Sequence, residues 1–363
     1  MANCSNGDFD WGRAVEEFSE MKTGVKGLMD AGVTELPRLF VHPPEDLQSH
    51  PPHGGQLELP TIDLDGAERG GARRREVVEQ MGKAAAEWGF FRIVNHGIPA
   101  GEMDGMLEAV KRFHELPAEE KLAFYAPAHD PRPVKLNSNL PVREKDPASW
   151  RDVLTCVFRD DQLEAQLIPS ALRKEMLDYV KYMMGLRGLM NELLAEALGL
   201  PTDYLSNLEC MSSQSLACWY YPVCPEPNKT LASPTHSDLT FLTLLMQDTT
   251  GGLQILRDDQ WFDVTPVRGA LIANIADLMQ IISNGKFISV RHRVRAQAVG
   301  PRISVACFFG PSVRATSKAF GPIKELLSDE SGPRYREVTL LQYLSSYKSK
   351  GERVASALHY YQI

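Results

Sequence analysis

From about residue 214 the chain breaks into short apolar runs separated by turn signals. The runs are 215–221, 238–247, 252–256, 260–264, 269–275, 288–299 and 302–309. Thr249-Thr250-Gly251-Gly252, Arg257-Asp258-Asp259, Pro266-Val267-Arg268-Gly269 and Ser283-Asn284-Gly285-Lys286 punctuate them. Seven short strands at this spacing predict an all-β sandwich or barrel. A double-sheet jelly roll is the natural form. No internal repeat and no low-complexity tract competes with that reading.

The N-terminal half is of a different texture. Residues 12–31 read as a helix, followed by a Pro/His-rich loop in which His42, His50 and His53 lie in solvated surroundings. Strands are expected at 59–64 and 90–94. Val77, Met81, Ala84, Ala85 and Trp88 recur at helical spacing across 72–88, and Gly89 ends that helix. A second helix carries Met103, Met106, Val110 and Phe113 and stops at Pro117. Residues 125–150 read as an extended loop. A long helix is expected from Ser170, as N-cap, to Leu198, with Met176, Met183, Met184 and Met190 as packing residues. The tail from 318 returns to helical, charged segments. The expected fold is therefore mainly β, a jelly roll wrapped by N-terminal and C-terminal helices. Its expected divisions are a preface (1–58), a mixed region (59–205), the jelly-roll core (206–315) and a helical tail (316–363).

A formal net charge of −8 argues against a nucleic-acid partner, and Arg73-Arg74-Arg75 reads as a solvated first turn. There is no apolar run of the roughly 18 residues a membrane span needs. The six cysteines are scattered without a C-x-x-C pair, as in a reducing compartment. With no apolar leader at the N-terminus, a cytoplasmic protein is expected; a monomer is the expected state.

Within the β region, His236 and Asp238 stand at i and i+2, and His292 follows 54 residues later. Two imidazoles and one carboxylate suit a facial iron(II) site with positions left open for a co-substrate and O2. On a strand, residues i and i+2 share a face, so one strand would offer the first pair. The third ligand would come from another strand, across the barrel. An H-x-D pair is common, and a lone strand histidine is more often core. Arg302 and Ser304, again at i and i+2, strengthen the case. A guanidinium inside a barrel requires an anionic partner, either a structural Asp or Glu or a bound carboxylate held bidentately.

Further segments make the pattern specific. They are Trp88-Gly-Phe-Phe-Arg-Ile-Val-Asn-His-Gly-Ile-Pro99, Tyr220-Tyr-Pro-Val-Cys-Pro-Glu-Pro227, Thr235-His-Ser-Asp-Leu-Thr-Phe-Leu-Thr243, Gly251-Gly-Leu-Gln-Ile255, Ser283-Asn-Gly285, His292-Arg-Val294 and Arg302-Ile-Ser304. In these segments the chain resembles the plant iron(II)- and 2-oxoglutarate-dependent dioxygenases over roughly residues 58–345. The resemblance implies iron held by His236, Asp238 and His292, and 2-oxoglutarate held by Arg302, Ser304 and Tyr221. It also implies ascorbate as reductant, O2 and a small-molecule substrate as partners, and a structural role for Asn95-His96-Gly97. Trp219 stands where the family's Asn-x-Tyr motif has asparagine, and it is expected to narrow the cavity. Ala217, Trp219, Phe308, Asn137, Asn139 and Trp150 are the candidate pocket residues.

Thr23-Gly-Val-Lys-Gly-Leu-Met-Asp-Ala-Gly-Val33, Pro37-Arg-Leu-Phe40 and Trp150-Arg151-Asp152 are similar to the branch called 1-aminocyclopropane-1-carboxylate oxidase homologues. That branch implies oxidation of a plant specialised metabolite, with benzoxazinoid glucosides such as DIBOA-glucoside the first named candidate. Other phenolic, indolic or alkaloid metabolites are alternatives. An ethylene-forming 1-aminocyclopropane-1-carboxylate oxidase, disfavoured by the long preface, and a non-catalytic binding protein are the competing readings.

Overall fold

The computed structural model describes residues 9–47, 55–69, 71–138, 140, 146–328, 332–350 and 356–363. The strands of the two large sheets are β1 (Gln56–Leu57), β2 (Thr61–Asp63), β3 (Phe90–Val94), β4 (Val134–Asn137), β5 (Asp152–Phe158), β6 (Ser213–Tyr221), β7 (Leu231–His236), β8 (Leu242–Gln247), β9 (Leu253–Arg257), β10 (Gln260–Val264), β11 (Leu271–Ile275), β12 (His292–Arg295) and β13 (Arg302–Gly310). They form an eight-stranded sheet, β2-β3-β11-β8-β13-β6-β5-β4, and a five-stranded one, β1-β10-β9-β12-β7. The two sheets face each other as the expected jelly roll. The tail, expected to be helical, also carries a small strand pair, Ala319–Phe320 with Val338–Thr339.

Alternation along the strands sorts the side chains. Ile303, Val305, Cys307 and Phe309 of β13 join the large core beneath the helices, while Arg302, Ser304, Ala306 and Phe308 line a cavity between the sheets. In β11, Leu271, Ala273 and Ile275 likewise face the helices, and Ile272 faces the other sheet. This is the period of two that a strand imposes. The helical side consists of α3 (Gly71–Glu87), α4 (Ala100–His114) and the long α5 (Arg173–Ala197), which follow α1 (Trp11–Met21) and α2 (Gly24–Asp30). Val77, Met81, Met106, Phe113, Met176, Met183 and Met190 are fully buried there.

Several expectations change. The single helix over 12–31 is two, because Lys22 adopts a left-handed φ of 50° and ends the first. The region 125–150 is not all loop, since Val134–Asn137 pairs with β5. The long helix starts at Arg173, with Leu172 rather than Ser170 before it. Met184 is exposed, and His42 is buried. His50 and His53 lie outside the described residues. Arg74 is not merely solvated: its guanidinium pairs with Glu192 at 2.8 Å and Glu196 at 2.7 Å on α5. Strand β7 was not legible, because Pro234 and the polar ends of Leu231–His236 mask its pattern.

One buried carboxylate helps to dock the preface. Asp152 accepts from the backbone N–H groups of Val25 (2.9 Å) and Lys26 (2.8 Å) and from the Ser138 hydroxyl (2.5 Å). It thus ties α2 and the β4–β5 connection to the start of β5. A side chain at Gly24 would meet that carboxylate at 2.5 Å, in a backbone with φ +69°, so glycine is required there.

His114, at the end of α4, is buried against β6. Its Nε2–H donates to the Cys218 carbonyl at 3.1 Å, and its ring stacks on Tyr220 at 5.2 Å. Burial pushes this imidazole down to about 3. Between that value and the ordinary histidine range near 6.5 the unfolded chain binds a proton that the folded chain refuses, so stability falls as pH falls through that window. His114→Gln is expected to make the loss between pH 7 and pH 5 shallower by about 2 kcal/mol. Urea unfolding at the two pH values measures it, and an unchanged slope would refute the assignment.

Candidate metal centre

The cavity between the sheets is lined by residues from both. His236 ends β7 and His292 begins β12; the two strands are paired, with these residues opposite each other in register. The imidazole centroids lie 4.2 Å apart. The expected geometry is corrected on two points. Asp238 lies beyond the end of β7 rather than on the same strand as His236, and His292 comes from the adjacent strand rather than from across the barrel. The turn after β7 folds the carboxylate back beside both rings.

Asp238 Oδ1 is 3.7 Å from His236 Nε2 and 3.7 Å from His292 Nε2. These separations are too long for hydrogen bonds and short enough for a shared ion. One ligand atom from each residue lies within 4.8 Å of the others, the only such His/Cys/Asp/Glu group among the described residues. The supporting contacts select those atoms. His236 Nδ1 sits 2.8 Å from the Pro234 carbonyl and His292 Nδ1 sits 3.1 Å from that of Val290. Each Nδ1 must carry a proton to make that bond, which leaves each Nε2 as the ring nitrogen that faces the cavity. Asp238 Oδ2 accepts from Thr243 Oγ1 and Asn274 Nδ2, both at 2.6 Å, leaving Oδ1 to the centre.

The electrostatics agree. Burial pushes His236 down to about 3; neighbouring His292 adds to that, Asp238 opposes it, and the Arg151 charge lowers it further. At neutral pH the ring is therefore an unprotonated donor. Asp277, which starts the short helix α6 (Asp277–Ile282), holds the turn from behind: its backbone N–H donates to the Asp238 carbonyl at 2.8 Å. Its carboxylate accepts from Ser237 at 2.9 Å and Tyr343 at 2.6 Å, although burial pushes that carboxyl up to about 6. Two imidazoles and one carboxylate with oriented outer contacts fit a divalent iron ion.

Beside this centre lies Arg302, 1% exposed. Its Nε donates to the Gly251 carbonyl (2.7 Å), Nη1 to Ser304 (3.1 Å) and Nη2 to Gln247 (2.7 Å). Tyr221, its register partner on β6, lies under it at 4.7 Å. All these contacts are neutral, and two of its five N–H groups are left for another acceptor. The alternative of a structural Asp or Glu partner for Arg302 is not realised among the described residues.

The pocket expectations fare unevenly. Trp219 and Phe308 line the cavity. Ala217 does not; its single methyl, on the same face of β6 as Trp219, stays outside the lining. Trp150 is fully buried core, edge-on to Phe40 at 5.1 Å with its indole N–H on the Val223 carbonyl. The side chain that reaches the cavity is its neighbour Arg151. Asn137 lines a separate cavity of about 640 Å³ beside Phe18, Lys22 and Tyr125. Asn139 lies outside the described residues. His96 bonds the Gly269 carbonyl at 3.0 Å, a structural contact. Thr243, Asn274, Gln247 and Arg151 were missed. Asn274 left a trace, as a lone amide within the apolar run Leu271-Ile272-Ala273-Asn274-Ile275.

Residues 212–311 match the model of the 2OG-Fe(II) oxygenase superfamily, and residues 59–179 match that of the non-haem dioxygenase in morphine synthesis N-terminal region. The chain belongs to the 2OG-Fe(II) oxygenase superfamily: it is a 2-oxoglutarate-dependent dioxygenase that uses iron and 2-oxoglutarate. Within it, the chain falls in the 1-aminocyclopropane-1-carboxylate oxidase-like branch of plants. It is 46% identical to 1-aminocyclopropane-1-carboxylate oxidase homolog 1 of Arabidopsis thaliana over 96% of each chain, and 43% identical to homolog 12 over 92% of each. Among solved structures it is similar to JOX2 in complex with 2OG, Fe and JA, with TM-score 0.76 and 28% identity over 89% of this chain and 92% of that one. It is also similar to the dioxygenase for auxin oxidation of rice, with TM-score 0.70 and 25% identity over 84% and 100%. No helix among the described residues is long and apolar enough to cross a membrane.

Proposed function

We propose that the chain hydroxylates a small plant specialised metabolite, with His236, Asp238 and His292 holding the iron and Arg302, Ser304 and Tyr221 holding the distal carboxylate of 2-oxoglutarate. The observation that carries this reading is the convergence of two Nε2 atoms and Asp238 Oδ1 next to a buried guanidinium whose own contacts are all neutral. When bound, iron with 2-oxoglutarate activates O2 for substrate oxidation, with release of succinate and CO2.

The chain's own residues supply ligation, orientation and dryness. Asn274 and Thr243 fix the carboxylate so that one oxygen faces the ion. Gln247 and the Gly251 carbonyl hold the Arg302 fork in plane, so its remaining N–H groups meet a carboxylate bidentately. Phe90, Leu245, Leu253 and Val294 exclude water from the centre. Trp219 and Phe308 offer aromatic faces to the substrate. Ascorbate serves as the supporting reductant, and the enzyme acts as a cytoplasmic monomer. Among substrates, a benzoxazinoid glucoside such as DIBOA-glucoside is the first to test, with phenolic, indolic and alkaloid metabolites beside it.

The test is a panel of these compounds with iron, 2-oxoglutarate, ascorbate and O2, read by mass for a gain of one oxygen and by succinate release. Product and succinate are expected to form together and only with 2-oxoglutarate present. Product formed on ascorbate alone would point instead to 1-aminocyclopropane-1-carboxylate oxidase chemistry. Absence of succinate across the panel, in protein that binds both iron and 2-oxoglutarate, would favour a binding protein.

A further inference from the structure

One wall of the cavity is a ladder of two stacked aromatic rings with a cation at each end. Arg302 lies over the Tyr221 ring at 4.7 Å, Tyr221 stacks with Trp219 at 6.3 Å and 29°, and the Arg151 guanidinium lies over Trp219 at 4.1 Å. The ladder follows from register. Arg302 is paired with Tyr221 on β6, and β5 runs along the other edge of β6 with Asp152 opposite Tyr220. Arg151 immediately precedes β5 and therefore arrives at the Tyr221 row from the opposite side. The two ends differ in depth: Arg302 is 1% exposed and Arg151 8%, with Trp219 only partly buried beside it.

Arg151 is also built in place. The following residue, Asp152, is fixed by α2 and Ser138, and the preceding one, Trp150, is locked in the core. The backbone on both sides is therefore held, and the side chain is backed by an indole face that orients its planar fork. A guanidinium restrained in this way loses little conformational freedom on binding an oxyanion. Arg302 serves the co-substrate at the deep end, which leaves Arg151 as the cation at the substrate end of the same cavity.

We infer that Arg151, stacked on Trp219, is a substrate-binding residue that selects molecules carrying an anionic oxygen group, such as a carboxylate, on an aromatic body. This rests on the dioxygenase site proposed above and adds the chemical class of its substrate. Trp219, in place of the family's asparagine, is then the platform that holds the second cation.

The experiment uses the full chain loaded with iron and 2-oxoglutarate under nitrogen, so that binding is read without turnover. Phenylacetate, 4-hydroxycinnamate and indole-3-carboxylate are titrated calorimetrically, each beside its methyl ester. At least one acid is expected to bind five or more times tighter than its ester. In Arg151→Met that ratio is expected to fall below half its wild-type value, and Arg151→Lys is expected to retain part of it, while 2-oxoglutarate affinity stays within twofold in both. Ratios below five for all three pairs in the wild type overturn the inference, whether or not the variants fold. So does a ratio in folded Arg151→Met that stays above half the wild-type value. Failure of the underlying site would look different, because the wild-type chain would then not bind 2-oxoglutarate in the presence of iron.

Discussion

Asp238→Ala is expected to abolish substrate-dependent succinate formation and to weaken iron binding by well over ~100-fold, beyond what loss of an outer contact causes. The carboxylate is the one anionic group of the centre, and its Oδ1 stands 3.7 Å from each Nε2. Alanine leaves two imidazoles with no anionic group to offset the ion. It also leaves the Thr243 hydroxyl and the Asn274 amide without their acceptor, so some stability is lost as well. Metal binding separates the two effects. Iron is expected to raise the melting temperature of the wild type through its preferential binding to the folded state, and no such rise is expected for Asp238→Ala. Asn274→Ala keeps the ligand but frees its orientation, and a loss of roughly 10- to 100-fold is expected. Wild-type iron content in purified Asp238→Ala would remove this residue from the centre.

Arg302→Leu is expected to leave iron binding intact and to cost about 2–5 kcal/mol of 2-oxoglutarate affinity, or roughly 30- to several-thousand-fold. The guanidinium is buried with no carboxylate partner among the described residues, so its charge is offset only when an anion binds. Leucine removes that attraction and leaves Gln247 and the Gly251 carbonyl without their donors. Arg302→Lys keeps the charge and loses the fork, so an intermediate loss is expected. Titration of 2-oxoglutarate into the iron-loaded variants measures both. Equal affinity in Arg302→Leu would mean that the co-substrate is held elsewhere.

Both variants rest on residues legible before any coordinates, and the reasons are physical. Metal ligands and buried charges belong to a few residue types, and the strand period lets Arg302 and Ser304 be assigned to one face from spacing alone. The jelly roll was legible for the same reason: turns punctuated its runs, and alternation within them showed which side chains face inward. The limits are physical too. The run read at 238–247 begins in fact at Leu242, and the missed strand β7 carries His236 only to its end. The Asp238 carboxylate reaches the centre through a turn, whose backbone path has no period to read.

What the sequence by itself determined is the donor chemistry, two imidazoles, one carboxylate and an inward guanidinium, and the alternating pattern that builds two facing sheets. Only the tertiary structure decided the neighbours. It paired His236 with His292 on adjacent strands and set Asn274 and Thr243 on the carboxylate. It put Trp150 in the core and turned Arg151 onto Trp219. Those contacts depend on register between strands far apart in the chain, where a one-residue slip reverses every face, and no local pattern carries that register.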